Sequence, residues 1–340
     1  MTITTIGIDL AKTVFQVHGV DAAGGVVIKK KLRRSEVKPF FEGIPPCLIG
    51  LEACATSHFW ARELSALGHE VRLMPPAYVK AYLRRQKNDA ADAEAICEAV
   101  TRPTMRFVPI KSAERQSVLV LHRARDLLVR QRTMLINAMR GHLAEFGIIA
   151  GQGARRIADL VGNIRSDETT SLPELARSTL IVLADQLDSL AAQIHALERQ
   201  LQVWHRHDEA SQRLATIPGV GIITATALAA SVTDPSIFKS GREFAAFLGL
   251  VPRQNSSGGK DRLGRISKMG DGYLRRLLVV GATSVIRRAK GDGRASNAWI
   301  NALLARRPAR VVTVAMANKT ARIAWAILAR GETYRAPLAA

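Results

Sequence analysis

Four carboxylates in the first third of the chain could meet at one point and take part in metal-assisted chemistry. Asp9 and Glu52 each end a short apolar run that predicts a buried strand. Asp89 and Asp92 open a predicted helix and, being three residues apart, lie on one face of it. Four converging carboxylates would repel one another and raise each other's pKa, so such a cluster implies a bound cation. Oxygen ligands without a nearby His or Cys favour Mg²⁺ or Mn²⁺, ions that serve phosphoryl transfer.

Two of these acids also have a purely structural interpretation. Asp89 could be the N-cap of its helix, and Asp92 could interact favourably with the helix dipole. Asp9 is harder to explain in this way, because a carboxylate that follows a buried apolar strand is costly without a partner.

A serine-containing loop at residues 255–260, with the sequence NSSGGK, is a second candidate for chemistry. The cations that accompany it are Lys260, Arg262, Arg265 and Lys268. A nucleophilic serine needs a base or a metal to deprotonate it, and cations to stabilise a pentavalent phosphate. The loop supplies the cations but no base, so composition alone favours an ordinary surface loop. Any activation of Ser256 or Ser257 would have to come from elsewhere, for example from the acidic site.

The sequence IPGVG at residues 217–221 is a third candidate. Gly219 and Gly221, followed by a helix of small residues, are typical of the hairpin in a helix-hairpin-helix module. Glycines at such a turn let backbone N–H groups approach a phosphate closely, and such a contact does not depend on the base sequence. The alternative is a tight turn between two core helices.

The charge balance indicates a polyanionic partner. The chain has 340 residues, with 49 Lys and Arg against 29 Asp and Glu, which gives a formal charge of +20. From residue 236 to the end there are 20 basic and 5 acidic residues, and the basic ones include pairs such as Arg275 and Arg276. Because arginine forks suit phosphate groups, we expect this segment to bind nucleic acid.

Composition also excludes several classes of protein. Hydrophobic residues make up 47% of the chain, enough to fill real cores, so wholesale disorder is excluded. The three cysteines have no metal-ligand spacing and are expected to be reduced thiols. We find no apolar run approaching the ~20 residues of a membrane helix and no signal-peptide pattern, so we expect a cytoplasmic protein without membrane contact.

The elements that must position these residues fall into three predicted domains. Residues 1–148 show strand, hairpin, helix, strand, helix and strand signals, which predict a mixed α/β sheet followed by a long helix. Residues 149–207 contain a heptad seam from Leu180 to Trp204. That seam predicts a coiled-coil arm, either an antiparallel hairpin with the preceding long helix or a dimer contact; an ordinary amphipathic helix is the alternative. Residues 208–340 are predicted to be mainly helical, with short helices and Gly/Ser-rich loops.

The joint order of motifs resembles that of one known family. The segments are GID at 7–9, LEA at 51–53, KNDAADA at 87–93, IPGVG at 217–221, GLVP at 249–252, SSGGK at 256–260 and RISKMG at 265–270. They occur in the order seen in the IS110/IS1111 transposases, the DEDD recombinases of bacterial insertion sequences, which are related to the Piv invertases. The SSGGK loop resembles the IS1111 branch more closely.

This resemblance implies a fold and a mechanism. The first domain would resemble the RuvC resolvase, with an RNase H-like fold, and Asp9, Glu52, Asp89 and Asp92 would be its Mg²⁺ ligands. The family places its nucleophilic serine immediately before a glycine, which selects Ser257, with Ser256 one residue away. The metal site of one protomer would activate the serine of another.

The resemblance also implies partners. An element-encoded non-coding RNA would pair with target and donor DNA, in a dimer or tetramer joined by coiled coils and associated with the bacterial nucleoid. The predicted nucleic-acid contacts are Gly219, Gly221, Lys260, Arg262, Arg265, Lys268, Arg275 and Arg276.

Two other functions fit the same residues. A metal-dependent, structure-specific endonuclease would use the four acids with water as the nucleophile and would form no covalent adduct. A non-enzymatic nucleic-acid-binding protein on a degenerate scaffold would tolerate Asp9→Asn, although the four intact acids argue against it.

Overall fold

The computed structural model describes residues 2–83, 88–149, 151, 154–166, 172–256, 258–260, 262–291 and 298–336. The chain forms two compact units. The first comprises Met1–Gln116 with Val232–Lys239, and the second comprises Ser117–Ser231 with Ser240–Ala340. The domain boundaries predicted from the sequence, at residues 148 and 207, stay predictions.

The first unit contains a five-stranded mixed sheet. Its strands are β1 (Thr5–Leu10), β2 (Val14–Val20), β3 (Val26–Arg33), β4 (Leu48–Glu52) and β5 (Glu70–Met74). Their order is β3-β2-β1-β4-β5; the pairs β1–β2 and β2–β3 are antiparallel, while β1–β4 and β4–β5 are parallel. The predicted mixed α/β sheet, with its β2–β3 hairpin, is therefore confirmed.

Helices cover both faces of the central strands. The helices described in this unit are α1 (Val37–Glu42), α2 (Ser57–Ala66), α3 (Pro76–Val79) and α4 (Asp89–Val100). Ile6 and Ile8 of β1 are buried in one core with Trp60 and Leu64 of α2. The opposite face of β1 contacts α4. Burial on both faces explains why β1 and β4 consist of apolar runs rather than alternating residues.

A pair of glycines sets how closely α4 approaches the sheet. Gly7 of β1 and Gly50 of β4 are directly opposite each other in the parallel register. A Cβ on Gly7 would collide with the backbone of α4 at Ala93 and Cys97, and would lie 2.8 Å from the Cys97 Cα. A Cβ on Gly50 would lie 2.8 Å from the Val100 Cβ. Two missing side chains therefore form the flat surface on which α4 packs.

The second unit is mainly helical. Its helices are α5 (Ala113–Ala144, which begins at the end of the first unit), α6 (Ala154–Arg165), α7 (Glu174–His207), α8 (Glu209–Ala215), α9 (Ile222–Ser231), α10 (Gly241–Phe247), α11 (Gly272–Gly291), α12 (Ala298–Leu304) and α13 (Ala309–Arg330). A two-stranded antiparallel sheet, β6 (Pro252–Gln254) and β7 (Leu263–Ile266), interrupts them.

The two longest helices, α5 and α7, run antiparallel. Arg125 of α5 pairs with Glu198 of α7 at an N–O distance of 2.6 Å. Farther along α5, Met139 lies in the same buried cluster as Leu180, near the start of α7. Four of the eight positions of the heptad seam are buried within this unit: Leu180, Leu190, Ile194 and Leu201. A coiled coil between protomers stays a prediction.

A buried polar network joins α5, α9 and α11. His122 is 1% exposed, and its two ring nitrogens lie 3.0 Å from the Tyr273 hydroxyl and 3.1 Å from the Thr226 hydroxyl. Burial, with a contribution from the nearby Arg125 charge, lowers the pKa of His122 to about 4. The imidazole is therefore neutral at pH 7, and its two hydroxyl partners satisfy it.

The last helix, α13, has the length and composition of a membrane-spanning helix, contrary to the expectation that no apolar run approaches that length. It has 22 residues, and its most apolar stretch of 18 residues has a mean hydropathy of 1.2. Of that stretch, 44% is buried inside the protein. It packs against α10 and α11, and its buried residues include Val312, Met316 and Ile327. This is the behaviour of a core helix, and one such helix is weak support for a membrane span.

Candidate active site

Three of the four predicted acids converge. Carboxylate oxygens of Asp9, Asp89 and Asp92 all lie within 4.8 Å of one another. Asp9 and Asp92 are half-buried, whereas Asp89 is exposed. Residues 83 positions apart in the sequence therefore form one acidic cluster at the surface of the first unit.

Two local features place the helix acids beside Asp9. Asn88 is the N-cap of α4, and its side-chain oxygen accepts a hydrogen bond from the Ala91 N–H at 2.8 Å. The interpretation of Asp89 as the N-cap is thus wrong, because the neighbouring Asn88 caps the helix. Asp89 and Asp92 instead occupy the first turn of α4. Because Gly7 lets α4 pack directly on β1, this first turn meets the strand end that carries Asp9.

Glu52 lies at the corresponding position of the neighbouring strand but is not part of the three-carboxylate cluster. Ile8 of β1 is paired with Leu51 of β4, so Asp9 and Glu52 are the next residues of two adjacent parallel strands. Glu52 is half-buried at the end of β4. Its backbone therefore has the predicted placement, while its carboxylate is not within the 4.8 Å group.

The donor set suits a hard divalent cation. Three carboxylates at these separations repel one another unless positive charge is placed between them. Carboxylate oxygens are the preferred ligands of Mg²⁺, which also keeps several water molecules. The end of one strand and the first turn of one helix supply the three clustered carboxylates.

The serine loop forms the tip of the β6–β7 hairpin. Ser257 lies outside the described residues. The Ser256 hydroxyl oxygen accepts hydrogen bonds from the Gln254 side-chain amide at 3.1 Å and from the Arg262 N–H at 3.3 Å. Ser256 therefore connects the two sides of the loop, at Gln254 and Arg262, by hydrogen bonds. Gly258 and Gly259 both have positive φ, +56° and +76°, a conformation that favours glycine over other residues.

The predicted phosphate-binding cations occupy two kinds of environment. Lys260, Arg262, Arg265 and Lys268 are exposed on or next to the hairpin. Arg275 is used internally, since its guanidinium donates to the Leu248 carbonyl at 2.9 Å and the Met269 carbonyl at 2.8 Å. Arg276 pairs with Asp126 and lies over the Tyr273 ring. The sequence identified these two arginines as cations but could not reveal their partners.

The two glycines of the IPGVG turn have different surroundings. The turn joins α8 to α9, and Gly219 has a φ of +86°. A Cβ on Gly219 would lie 2.8 Å from the Gly281 carbonyl oxygen of α11, so Gly219 permits a close helix contact. Gly221 has open space around it. A role of this turn in phosphate binding stays a prediction.

The fold and the acidic cluster define a class of protein when they are compared with known families. A model of DEDD-type IS110 transposases, described as "Transposase", matches residues 6–148. A second model, described as "Transposase IS116/IS110/IS902 family", matches residues 211–298. The mixed sheet is consistent with a RuvC-like DEDD transposase domain. The protein is thus a transposase of the DEDD class.

Relatives that match over almost the whole chain narrow the assignment. The chain is 52% identical to a Pseudomonas aeruginosa protein named "Probable family 20 transposase", over 98% of this chain and 99% of the relative. It is 42% identical to the transposase for insertion sequence element IS1328 of Yersinia enterocolitica, over 98% of each chain. It is 39% identical to the transposase for IS1111A of Coxiella burnetii, over 98% and 92% respectively. The chain belongs to the IS110/IS1111 family of insertion-sequence transposases, and is therefore a DNA-modifying enzyme.

Proposed function

We propose that the protein is an RNA-guided DNA recombinase that cuts and exchanges strands through a covalent serine–DNA intermediate. The observation that carries this proposal is the convergence of Asp9, Asp89 and Asp92 within 4.8 Å on a DEDD-type scaffold. An acidic cluster of this kind serves phosphoryl transfer. The serine loop, with its surrounding cations, supplies the second half of the proposed chemistry.

The acidic site is proposed to hold Mg²⁺, with Mn²⁺ as a substitute. Asp9, Asp89 and Asp92 would be the principal ligands, and Glu52 would join them from the end of β4. When bound there, the cation would lower the pKa of the attacking hydroxyl and stabilise the leaving oxygen. The half-buried position of Asp9 and Asp92 strengthens their attraction for a cation relative to fully hydrated carboxylates.

The proposed step at the serine loop is a transesterification. The Ser257 oxygen forms a bond to the phosphorus of a DNA phosphodiester, while the bond from phosphorus to one deoxyribose oxygen breaks. The serine proton leaves to solvent, and the released oxygen takes up a proton from solvent to become a free 3′- or 5′-hydroxyl. Exposed Lys260 and Arg262 would balance the charge on the phosphorane. The two hydrogen bonds that the Ser256 oxygen accepts occupy its lone pairs and make it a poor nucleophile.

The proposed partners follow from the family and from the charge. A non-coding RNA from the element would pair with target and donor DNA, so that base pairing rather than protein contacts selects the sequence. The formal charge of +20 suits a protein that binds both RNA and DNA backbones. The long helices α5 and α7 would carry the contacts of a dimer or tetramer, in which the acidic site of one protomer acts with the serine of another.

The test is the formation of a covalent adduct. The full-length protein, purified with its co-expressed RNA, is incubated with labelled DNA that the RNA can pair with, and is then analysed on a denaturing gel with and without Mg²⁺. We expect a Mg²⁺-dependent adduct that Ser257→Ala and Asp9→Asn abolish. The matched control, Ser256→Ala, should retain it. Cleavage without an adduct in wild type, unaffected by Ser257→Ala, would instead establish the metal-dependent endonuclease.

The role of RNA is tested separately. Sequencing of the copurified RNA should recover one structured transcript from the flank of the element. Changing the bases of that RNA that pair with target DNA should redirect cutting to the matching DNA. Cutting that stays at the original DNA after this exchange would show that the protein itself selects the site.

A further inference from the structure

The second unit contains a large cavity that neither the acidic site nor the serine itself explains. Its volume is about 1310 Å³, and its walls come from α10, α12, α13 and both strands of the β6–β7 hairpin. The side-chain amide of Asn318 donates to the Leu250 carbonyl at 3.1 Å, which ties α13 to the base of the hairpin. Gly241 of α10 lies against the backbone of α13 at Arg322. These contacts fix the walls, so the cavity is preformed.

The lining of the cavity carries one sign of charge. Its cations are Arg242, Arg265, Arg310, Lys319 and Arg322, and none of the described residues that line it is acidic. Four of the five are exposed at the rim, and Lys319 is half-buried. A concentration of positive charge with no acidic residue among the described lining attracts a polyanion, and arginine forks suit phosphate in particular.

The interior of the cavity is apolar and includes two indole rings. Trp299 of α12 and Trp325 of α13 line it, together with aliphatic side chains such as Val314 and Ile323. Trp299 is 36% exposed, and the Lys319 ammonium lies 4.4 Å from the centre of its ring. A phosphate alone would not need such an interior. Aromatic rings bordered by cations are the combination that binds unpaired nucleotides, in which the ring stacks on a base and the cations contact its phosphates.

We infer that this cavity binds one or more unpaired DNA nucleotides next to the cutting site, with a base stacked on Trp299. Its volume exceeds the ~300–1,000 Å³ of typical small-ligand sites, so it can hold a base together with its sugar and phosphate. A strand that is already opened for exchange presents its bases unpaired, so placing one of them in the cavity requires no further base pair to break.

The position of the cavity selects DNA as the occupant. Pro252 and Arg265, on the two strands of the serine hairpin, form part of its wall. Ser256 follows Pro252 by four residues, a separation that extended chain spans in at most ~14 Å. That distance corresponds to about four nucleotides of a duplex strand. The inference rests on the proposed cutting of DNA at this loop, since it assigns the neighbouring nucleotides of the same strand to the cavity.

The test separates base stacking from phosphate contact. Fluorescence anisotropy measures the binding of the full-length protein to labelled dT12 and to an abasic 12-mer with the same phosphates, in EDTA so that no strand is cut. We expect Trp299→Ala to weaken dT12 binding by about five- to 100-fold and to leave binding of the abasic strand almost unchanged. Trp299→Phe, which keeps an aromatic ring, should remain within about threefold of wild type.

A pair of variants on one helix tests the cationic rim. Arg322→Glu should weaken the binding of both probes, whereas Arg330→Glu, the same charge change on α13 outside the cavity, should have a much smaller effect. If Trp299→Ala weakens the binding of dT12 and of the abasic strand equally, or weakens neither, the base-stacking assignment is overturned. Tighter binding of rU12 with the same dependence on Trp299 would overturn the assignment to DNA. Because the assay contains no divalent cation, its result does not depend on whether Ser257 is the nucleophile.

Discussion

The substitution Gly7→Ala should disable the acidic site without changing a single acidic residue. The new Cβ would collide with backbone atoms of α4 rather than with a movable side chain. Its separation from the Cys97 Cα would be 2.8 Å, against the 3.4 Å at which ordinary contact begins, so α4 must retreat by about 0.6 Å or more. That displacement moves Asp89 and Asp92 away from Asp9.

Two magnitudes follow from this displacement. Overpacking of a well-packed core costs about 1–3 kcal/mol, and a clash with backbone belongs at the upper end, so we expect a loss of about 3 kcal/mol in the free energy of unfolding. A misplacement of catalytic groups approaching 1 Å can reduce a rate by ~100-fold. We therefore expect Mg²⁺-dependent adduct formation to fall by about that factor in protein that is still folded.

The opposing glycine provides a graded comparison. Gly50→Ala would bring its Cβ to 2.8 Å from the Val100 Cβ, at the end of α4 opposite Asp89 and Asp92, so we expect a loss of about 2 kcal/mol with most adduct formation retained. Gly43→Ala, in the same unit, would make only ordinary contacts, at 3.6 and 3.9 Å, and should leave both the stability and the acidic site unchanged. Denaturant unfolding and the adduct gel measure both effects. A Gly7→Ala protein that matches Gly43→Ala in both assays would refute the argument that Gly7 positions α4.

Three further predictions address the metal, the buried histidine and the assembly. Mg²⁺ at tenfold its dissociation constant should raise the free energy of unfolding of the wild type by about 1.4 kcal/mol, and Asp9→Asn should remove most of that rise in a thermal-shift titration. Because burial lowers the pKa of His122 from 6.5 to about 4, the unfolded chain takes up a proton at a higher pH than the folded protein does. The resulting stability is fully present above pH 6.5 and is lost as the pH falls towards 4. Unfolding free energy should therefore drop by about 3 kcal/mol over that range, and His122→Gln should show a correspondingly smaller drop in denaturant titrations; equal pH slopes would contradict the neutral buried histidine. Finally, Asp9→Asn and Ser257→Ala proteins, each inactive alone, should form adduct when mixed and assembled together, whereas an inactive mixture would show that both groups act from one protomer.

The sheet could be predicted from sequence because its strands carry strong local signals. Apolar runs identified β1 and β4, and the turn at residues 21–25 identified the β2–β3 hairpin. The β6–β7 hairpin was not predicted as strands, because β6 is exposed at every position and β7 at all but Ile266. Without a buried face these strands show no alternation of apolar and polar residues. The serine loop was recognised as a loop, but the hairpin that carries it was not.

The site could be predicted in its residue types but not in its detailed contacts. The spacing of Asp89 and Asp92 indicated one helix face, and the structure brings both beside Asp9. Which residue caps that helix could not be decided, because Asn and Asp are equally good N-caps and Asn88 precedes Asp89 directly. The sequence does not predict the cavity beside the serine hairpin either. Its members, such as Arg242 and Trp299, are far apart in sequence, and no local pattern joins them.

The two halves of the proposed chemistry rest on different kinds of support, and this difference favours their action between protomers. The acids depend on the rigid contact between α4 and a glycine-lined sheet, which suits metal ligands that tolerate little displacement. The serine is carried on an exposed hairpin whose base is held by hydrogen bonds from Asn318 and Arg275, and whose tip contains two glycines with positive φ. The described residues of the tip, 256 and 258–260, are exposed, so they are open to a phosphate that another protomer presents. An acidic site fixed within one protomer and a serine hairpin exposed on another are suited to meet on bound DNA, and the mixing experiment tests that division directly.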